Sequence, residues 1–352
     1  MNMRVWIQNP FDNLPCEGYR KQRFWMMAEA FAAAGHEVVL WTSDFSHGSK
    51  AKRSFVAALP TAFELRLIPT LPYRQNLGWA RVRSHRAYAR EWVRLARADA
   101  RKPDVIIASL PSLSAADAAV SLGRELGSKV VIDIMDAWPE TFERLAPAIL
   151  RWVVRMLLWR QRARARRIYR EADLVTGVCG RYRELSRRAD YYLAYHGVEL
   201  GDDRLGDDRL GAGSDGRSIR LVYAGSLGRT YDLDTVLKAV EQNADFTLDI
   251  AGRWEREVPP RVRVHGYLAE SELHELLCEC DVGIIPMTAA SWVGIPYKLG
   301  DYAKAGLRIV SSLSGESAAI LEQYRCGVSY RAGDPASLAA ATDVCSYDEG
   351  LK

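Results

Sequence analysis

Two successive α/β domains, each built on a parallel sheet, are what this sequence predicts, on three observations. Short apolar runs alternate with amphipathic stretches at strand–loop–helix–strand spacing. The alternation is broken once, by a polar glycine-rich segment over 199–218, and then resumes. At 352 residues the chain is long enough for two cores of ordinary size.

The elements follow in order. Met3–Gln8 is an apolar strand, and a loop over Asn9–Gly18 leads to a helix over Arg20–Ala34. Phe24, Met27, Ala28 and Phe31 recur on that helix at helical spacing, and Gly35 closes it. His36–Trp41 is the next strand, which gives a βαβ unit and implies a parallel pair with a right-handed crossover. Asp104–Ala108, Lys129–Ile134 and Leu174–Gly177 read as further strands, with a small-residue helix over Ser112–Leu126. Gly201–Leu205 is repeated as Gly206–Leu210, and the surrounding polar stretch reads as a linker. Strands then return at Ile219–Ala224, Phe246–Ala251, Val262–His265, Val282–Pro286 and Arg308–Ser311. Helices over Asp232–Gln242, Ser271–Cys278 and Lys298–Ala305 separate them. The predicted division is therefore 1–198, a linker over 199–218, and 219–352. Ligands of such sheets sit beyond the carboxyl ends of the strands, so a cleft between the domains is the expected site.

Composition narrows the class. With 48% hydrophobic and 26% charged residues the chain is globular, which excludes disordered and fibrous classes. Cys278 and Cys280 have no second pair at zinc-ligand spacing, so no metal site is expected. Met1–Asp12 lacks the charged start and apolar run of a signal peptide, and scattered thiols suit a reducing cytoplasm. Charge is uneven: residues 1–198 carry 32 basic and 19 acidic residues, a net +13, whereas 199–352 carry 16 and 25, a net −9. A basic first half implies an anionic partner.

Three segments bear chemistry. Gly225-Ser226-Leu227-Gly228-Arg229 follows the first strand of the second domain and precedes a helix. Glycines there let a phosphate approach the backbone and a helix start, and Arg229 adds a charged donor. Read locally, the same residues make a tight turn with an exposed arginine. Gly252-Arg253-Trp254 and Gly266-Tyr267 end neighbouring strands and suit a nucleobase, or else surface turns. Ala289–Gly306, AASWVGIPYKLGDYAKAG, sets a loop bearing Val293 and Gly294 before a helix with Lys298 near its start and Asp301 a turn later. Pro296 suits a first helical turn. Lys298 can meet an anion and Asp301 ribose hydroxyls, or the two can form a surface ion pair worth less than about 1 kcal/mol.

The last segment resembles the donor-binding signature of glycosyltransferase family 4, in the branch that assembles O-antigens and capsules. Gly35-His36-Glu37-Val38, Ile134–Glu140 (IMDAWPE) and His196-Gly197-Val198-Glu199 resemble other stretches of that family, so the likeness runs along nearly the whole chain. The resemblance implies a GT-B fold and a nucleoside-diphosphate-sugar donor, with UDP preferred, held by the second domain. It implies no metal and no cofactor beyond that substrate, and hexosyl or N-acetylhexosaminyl transfer with retention of configuration. Carried over by position, Gly225, Ser226, Gly228, Arg229 and Lys298 hold the diphosphate, with Arg229 and Lys298 as catalytic charges. Asp301 binds the ribose, and Arg253 and Tyr267 complete the donor site. Gly18 approaches the donor from the first domain, while Arg20, Asp136 and Glu140 line the acceptor side. Val293 stands where many members place a glutamate, so sugar contacts fall to the amides of Val293 and Gly294.

Arg151–Arg170 has eight arginines and no acid, interleaved with Trp152, Leu157, Leu158, Trp159 and Tyr169. Its apolar run is too short to span a bilayer but suits a helix lying in the interface. Arg81–Lys102, beside Trp79 and with Tyr88 and Trp92, has the same character. Each basic residue near an anionic leaflet contributes about 1 kcal/mol. The expectation is a cytoplasmic enzyme of surface-polysaccharide or glycoconjugate synthesis, peripheral on the inner face of the plasma membrane, with a lipid-linked or saccharide acceptor. Alternatively these are ordinary domain helices; nucleic acid is not expected, since no binding motif accompanies them. Two rival functions remain at this stage, a nucleotide-sugar epimerase and a catalytically silent partner subunit. Val293 and the short C-terminal segment make the second thinkable.

Overall fold

Seven parallel strands in the order β3-β2-β1-β4-β5-β6-β7 form the first sheet, and six in the order β10-β9-β8-β11-β12-β13 form the second. These come from a computed structural model that describes residues 2–18, 20–53, 61–75, 78–199, 218–225, 228 and 230–347. The strands of the first sheet are β1 (Arg4–Gln8), β2 (Glu37–Ser43), β3 (Glu64–Ile68), β4 (Val105–Leu110), β5 (Lys129–Ile134), β6 (Leu174–Gly177) and β7 (Tyr191–Leu193). Those of the second are β8 (Ile219–Ala224), β9 (Phe246–Ala251), β10 (Val262–Gly266), β11 (Val282–Ile285), β12 (Arg308–Ser311) and β13 (Gly327–Ser329). The chain divides into compact units Met1–Tyr195 and His196–Lys352. Most of the predicted linker, 200–217, lies outside the described residues.

Burial explains the order. All five residues of β1 are buried, as a central parallel strand covered on both faces requires. Helix α1 (Arg23–Ala33) lays Phe24, Trp25 and Ala28 against Val5, Ile7, Val38 and Leu40. Helix α2 (Trp79–Ala98) packs on β3 and on α3 (Leu113–Leu126). The short helices α4 (Glu140–Leu145), α5 (Arg151–Leu157), α6 (Trp159–Glu171) and α7 (Arg183–Ser186) follow, and α6 also packs on α3.

In the second unit α8 (Leu233–Gln242) and α12 (Pro335–Tyr347) cover one face of the sheet, and α9 (Glu270–Cys278), α10 (Tyr297–Lys304) and α11 (Glu316–Gln323) the other. Asp232 caps α8 by accepting from the Thr235 amide at 3.2 Å.

Both sheets reverse direction of growth beside their first strand, between β1 and β4 and between β8 and β11. Such a switch point leaves a crevice at the carboxyl ends of the two strands, where neighbouring connections diverge.

Candidate functional site

At the switch point of the second sheet, β8 runs out into Gly225 and β9 into Gly252. Gly225 has φ +147° and Gly252 φ +145°, a region that a side chain disfavours. Space forbids one as well. A Cβ on Gly225 would stand 2.5 Å from Lys298 Nζ, and one on Gly252 2.1 Å from the Gly225 carbonyl oxygen. The two turns and the start of α10 are therefore in close contact.

Lys298 is buried, with 8% of its surface exposed, and it forms no ion pair among the described residues. The local alternative of a Lys298–Asp301 surface pair is thus not what forms. Its ammonium sits 4.4 Å from the centre of the Tyr231 ring and 5.0 Å from that of Tyr223, and it donates to Tyr231 Oη at 3.4 Å. Aromatic faces lessen the cost of burying a cation but do not neutralise it. A buried ammonium at a glycine turn, facing no carboxylate among the described residues, is an anion-receiving group.

Tyr302 holds this arrangement. Wholly buried, its hydroxyl accepts from the Ala224 amide at 3.0 Å and donates to the Ile284 carbonyl at 3.3 Å. Gly283 leaves room for its ring, since a Cβ there would lie 2.4 Å from it. The segment leading into α10 is braced too: His196 stacks on Tyr297 at 3.6 Å, and Val198 fills the space beside Gly300. His196–Glu199 therefore belongs to the second unit rather than closing the first.

Other predicted residues fare differently. Ser226 and Arg229 lie outside the described residues. The amide of Gly225 is already committed to the Ala251 carbonyl at 2.8 Å, and that of Gly252 to Gly266 at 2.7 Å, so neither is a spare anion donor. Gly225 instead contributes the absence of a side chain. The Gly228 carbonyl accepts from the Tyr231 amide, which turns Tyr231 toward Lys298. Arg253 is exposed and paired with Glu255, and Tyr267 is 67% exposed. Val293 packs against the core beside α10, with Gly294 next to it and Asp301 half-buried on the helix. Tyr223, Tyr231 and Tyr302 were missed as site residues. Tyr302 stood in the signature, and its spacing from Lys298 was its only signal.

In the first unit Gly18 ends a turn over Pro15–Glu17 with φ +73°, and Arg20 is half-buried between that turn and α1. Asp136 follows β5 with part of its surface exposed; loss of solvent around the carboxyl raises its pKa, and Arg81 opposes the rise. Glu140 begins α4, pairs with Arg162 at 3.4 Å, and is likewise raised by burial. Around Arg81 lies a group that sequence reasoning did not find: Phe11, His47, Lys50, Tyr73, His85 and Trp138.

The basic helices separate into two cases. On α2, Tyr88 and Trp92 are wholly buried and Tyr88 donates to the Trp41 carbonyl at 2.9 Å. Its aromatic stripe is therefore core, which overturns its reading as a membrane face; Trp79 alone of the three aromatics is exposed. On α6, Ala165, Ile168 and Tyr169 are buried, so Tyr169 too is core. By contrast, Ile149, Trp152, Met156, Leu157 and Trp159 are each more than half exposed. Arg155, Arg162, Arg164 and Arg167 pair with Glu143 or Asp117, while Arg151, Arg160, Arg166 and Arg170 form no ion pair among the described residues.

No cluster of His, Cys, Asp and Glu among the described residues could hold a metal ion. No helix of the described residues is long and apolar enough to cross a membrane.

Two parallel sheets wound 3-2-1-4-5-6, one with a buried cation at its switch point, define a paired Rossmann-like α/β protein. Residues 21–192 match the family model described as glycosyl transferase 4-like domain, and residues 218–346 that described as glycosyl transferases group 1. The chain is thus a glycosyltransferase of the GT-B type. Among solved structures, sucrose-phosphate synthase from Thermosynechococcus elongatus is similar with a TM-score of 0.71 at 13% identity, covering 99% of this chain and 91% of that one. HepE of Anabaena, in complex with UDP and glucose, is similar with a TM-score of 0.65 at 13% identity, with the same coverage. The catalytic domain of starch synthase IV from Arabidopsis thaliana, bound to ADP and acarbose, gives 0.67 at 11%, covering 99% and 93%. At such identities these likenesses establish the fold alone. No curated protein matches the sequence.

Proposed function

We propose that the chain transfers a hexosyl or N-acetylhexosaminyl group from a nucleoside-diphosphate sugar to a lipid-linked or saccharide acceptor, with retention of configuration. The observation that carries this reading is Lys298, a buried ammonium without an acid partner among the described residues, held against a side-chain-free turn at the switch point of the second sheet. When the glycosidic bond to the donor breaks, negative charge grows on the departing diphosphate. A cation fixed in a site of low dielectric stabilises that charge without having to reorganise. Arg229, by resemblance, adds a second charge, Asp301 takes the ribose, and the amides of Val293 and Gly294 take the sugar. The complex of HepE with UDP and glucose supports UDP as the nucleotide of the donor. Gly18 approaches the donor from the first domain, while Arg20, Asp136 and Glu140 belong to the acceptor side. Retention leaves no obligatory protein base, and raised carboxyl groups at Asp136 and Glu140 suit hydrogen-bonding to acceptor hydroxyls.

The acceptor is met at an anionic membrane surface in surface-polysaccharide or glycoconjugate synthesis on the cytoplasmic side. The support is the exposed apolar set on and beside α5, with arginines that lack acid partners among the described residues.

A panel of nucleotide sugars read by thermal unfolding tests the first claim, because a bound donor raises stability by mass action. A UDP-sugar is expected to raise the midpoint in wild type, and much less in Lys298→Ala. The variant should lose about 1.5–3 kcal/mol of transition-state stabilisation, seen in kcat/KM for transfer. Wild-type turnover by Lys298→Ala would remove the lysine from this role.

A further inference from the structure

The carboxyl edge of the first sheet gathers a group of side chains that no step above uses. His47 and Lys50 come from the turn after β2, Tyr73 from the segment after β3, Arg81 and His85 from the first turns of α2, Phe11 from the loop after β1 and Trp138 from the loop after β5. His47 Nδ1 lies 2.6 Å from Tyr73 Oη and 3.1 Å from Lys50 Nζ, and Arg81 Nε donates to His85 Nε2 at 3.3 Å. Arg81 stacks over Trp138 at 4.6 Å and over Phe11 at 5.5 Å, and Lys50 lies 5.1 Å from the Tyr73 ring.

Two cations and two imidazoles thus share one partly dry pocket. Lys50 forms no ion pair among the described residues, and the acid whose charge reaches Arg81 is Asp136. The crowding has consequences. Burial with the charges of Lys50 and Arg81 pushes His47 down to about 3, burial with the charges of Arg81 and His47 pushes His85 down to about 3, and burial with Arg81 pushes Lys50 down to about 8. Lys50 also sits at φ +58°, a left-handed conformation that costs a non-glycine residue energy and persists where its surroundings impose it. The turn that holds it there is closed by bonds from the Ser46 amide to Ala51 and from the Lys50 amide to Ser46.

We propose that this pocket receives an anionic group of the acceptor, a phosphate or a carboxylate, between Lys50 and Arg81. A carboxylate or phosphate oxygen accepts from both cations, and the neighbouring Tyr73 hydroxyl and imidazole N–H can complete its shell. The aromatic walls of Phe11, Tyr73 and Trp138 suit the apolar face of a sugar ring beside that anion. The proposal rests on the reading of the chain as a glycosyl transfer enzyme and deepens it by giving the acceptor a charge.

The test follows the imidazole resonances of His47 and His85 by NMR while inorganic phosphate, methyl glucuronide or neutral methyl glucoside is added. At least one anion is expected to shift both resonances saturably, and the neutral glucoside is not. Lys50→Met should weaken the anion's apparent affinity about tenfold or more, whereas Lys50→Arg should restore most of it. Stronger binding of phosphate points to a phosphate-bearing carrier, and stronger binding of glucuronide to an acidic sugar. Resonances that no anion moves, equal shifts with the glucoside, or an affinity indifferent to Lys50→Met would overturn the proposal. Lys298→Ala serves as the separate control. It should leave these titrations untouched, so a failed donor site and a failed anion pocket give different results.

Discussion

The hydroxyl of Tyr302 and the amide of Ala224 are joined by a 3.0 Å hydrogen bond, and this bond ties α10 to the residue immediately before Gly225. Both groups are wholly or nearly wholly buried, so neither has water as a substitute. The position of Lys298 against the turn is thereby set by a tyrosine one helical turn further on.

Tyr302→Phe is therefore expected to cost about 1–3 kcal/mol, the penalty of a buried amide left without its acceptor. Urea unfolding would read this as a lower midpoint at unchanged slope. Donor-induced thermal stabilisation should fall as well, since α10 loses its tether. An unchanged midpoint would show that the bond contributes nothing net.

Gly225→Ala places a methyl group 2.5 Å from Lys298 Nζ and at φ +147°. The atom it meets is the far end of a flexible chain, so the lysine can swing aside. Backbone strain of about 1–3 kcal/mol remains. Transfer is expected to fall at least as far as in Lys298→Ala, with a folded protein by circular dichroism. Gly252→Ala meets backbone at 2.1 Å and should harm folding more. A fully active Gly225→Ala enzyme would contradict this account.

His47 and His85 are held neutral in the folded protein, with pKa values near 3 against an ordinary 6.5. Between those values the unfolded chain binds more protons, so stability is present above pH 6.5 and is lost as pH falls. One such histidine costs about 2 kcal/mol by pH 5. Unfolding midpoints at pH 7 and pH 5 should differ accordingly, and less so in His85→Gln. Equal pH slopes for wild type and variant would refute the assignment.

Trp152→Ala combined with Trp159→Ala should weaken sedimentation with anionic vesicles, and added salt should weaken it in wild type. Substituting the wholly buried Trp92 tests nothing of the kind, because it lies in the core. Vesicle binding that is absent, or indifferent to both tryptophans, removes the membrane reading of α5.

Central elements were legible because both of their faces are buried: β1, β4, β5, β8 and β9 are apolar runs of five or six residues. The strands overlooked were β3, β7 and β13, all at or near sheet edges. Edge strands are short and half-solvated, so ELRLI, YYL and GVS show no run to notice. The donor signature was legible as far as Lys298, while the use of the Gly225 amide by Ala251 was not, because that bond crosses between β8 and β9.

Local order along the chain determined much by itself: the alternating elements, the two α/β domains, the glycine turns and the lysine at a helix start. These depend on periodicity and on backbone freedom, which a residue carries with it wherever it lies. Tertiary structure decided which groups each charge meets and which aromatic residues are core. Lys298 has no acid partner among the described residues, Arg81 lies against rings drawn from three separate segments, and Trp92 is buried while Trp152 is not. Burial and pairing are properties of neighbours brought from distant positions, and no window of sequence contains them.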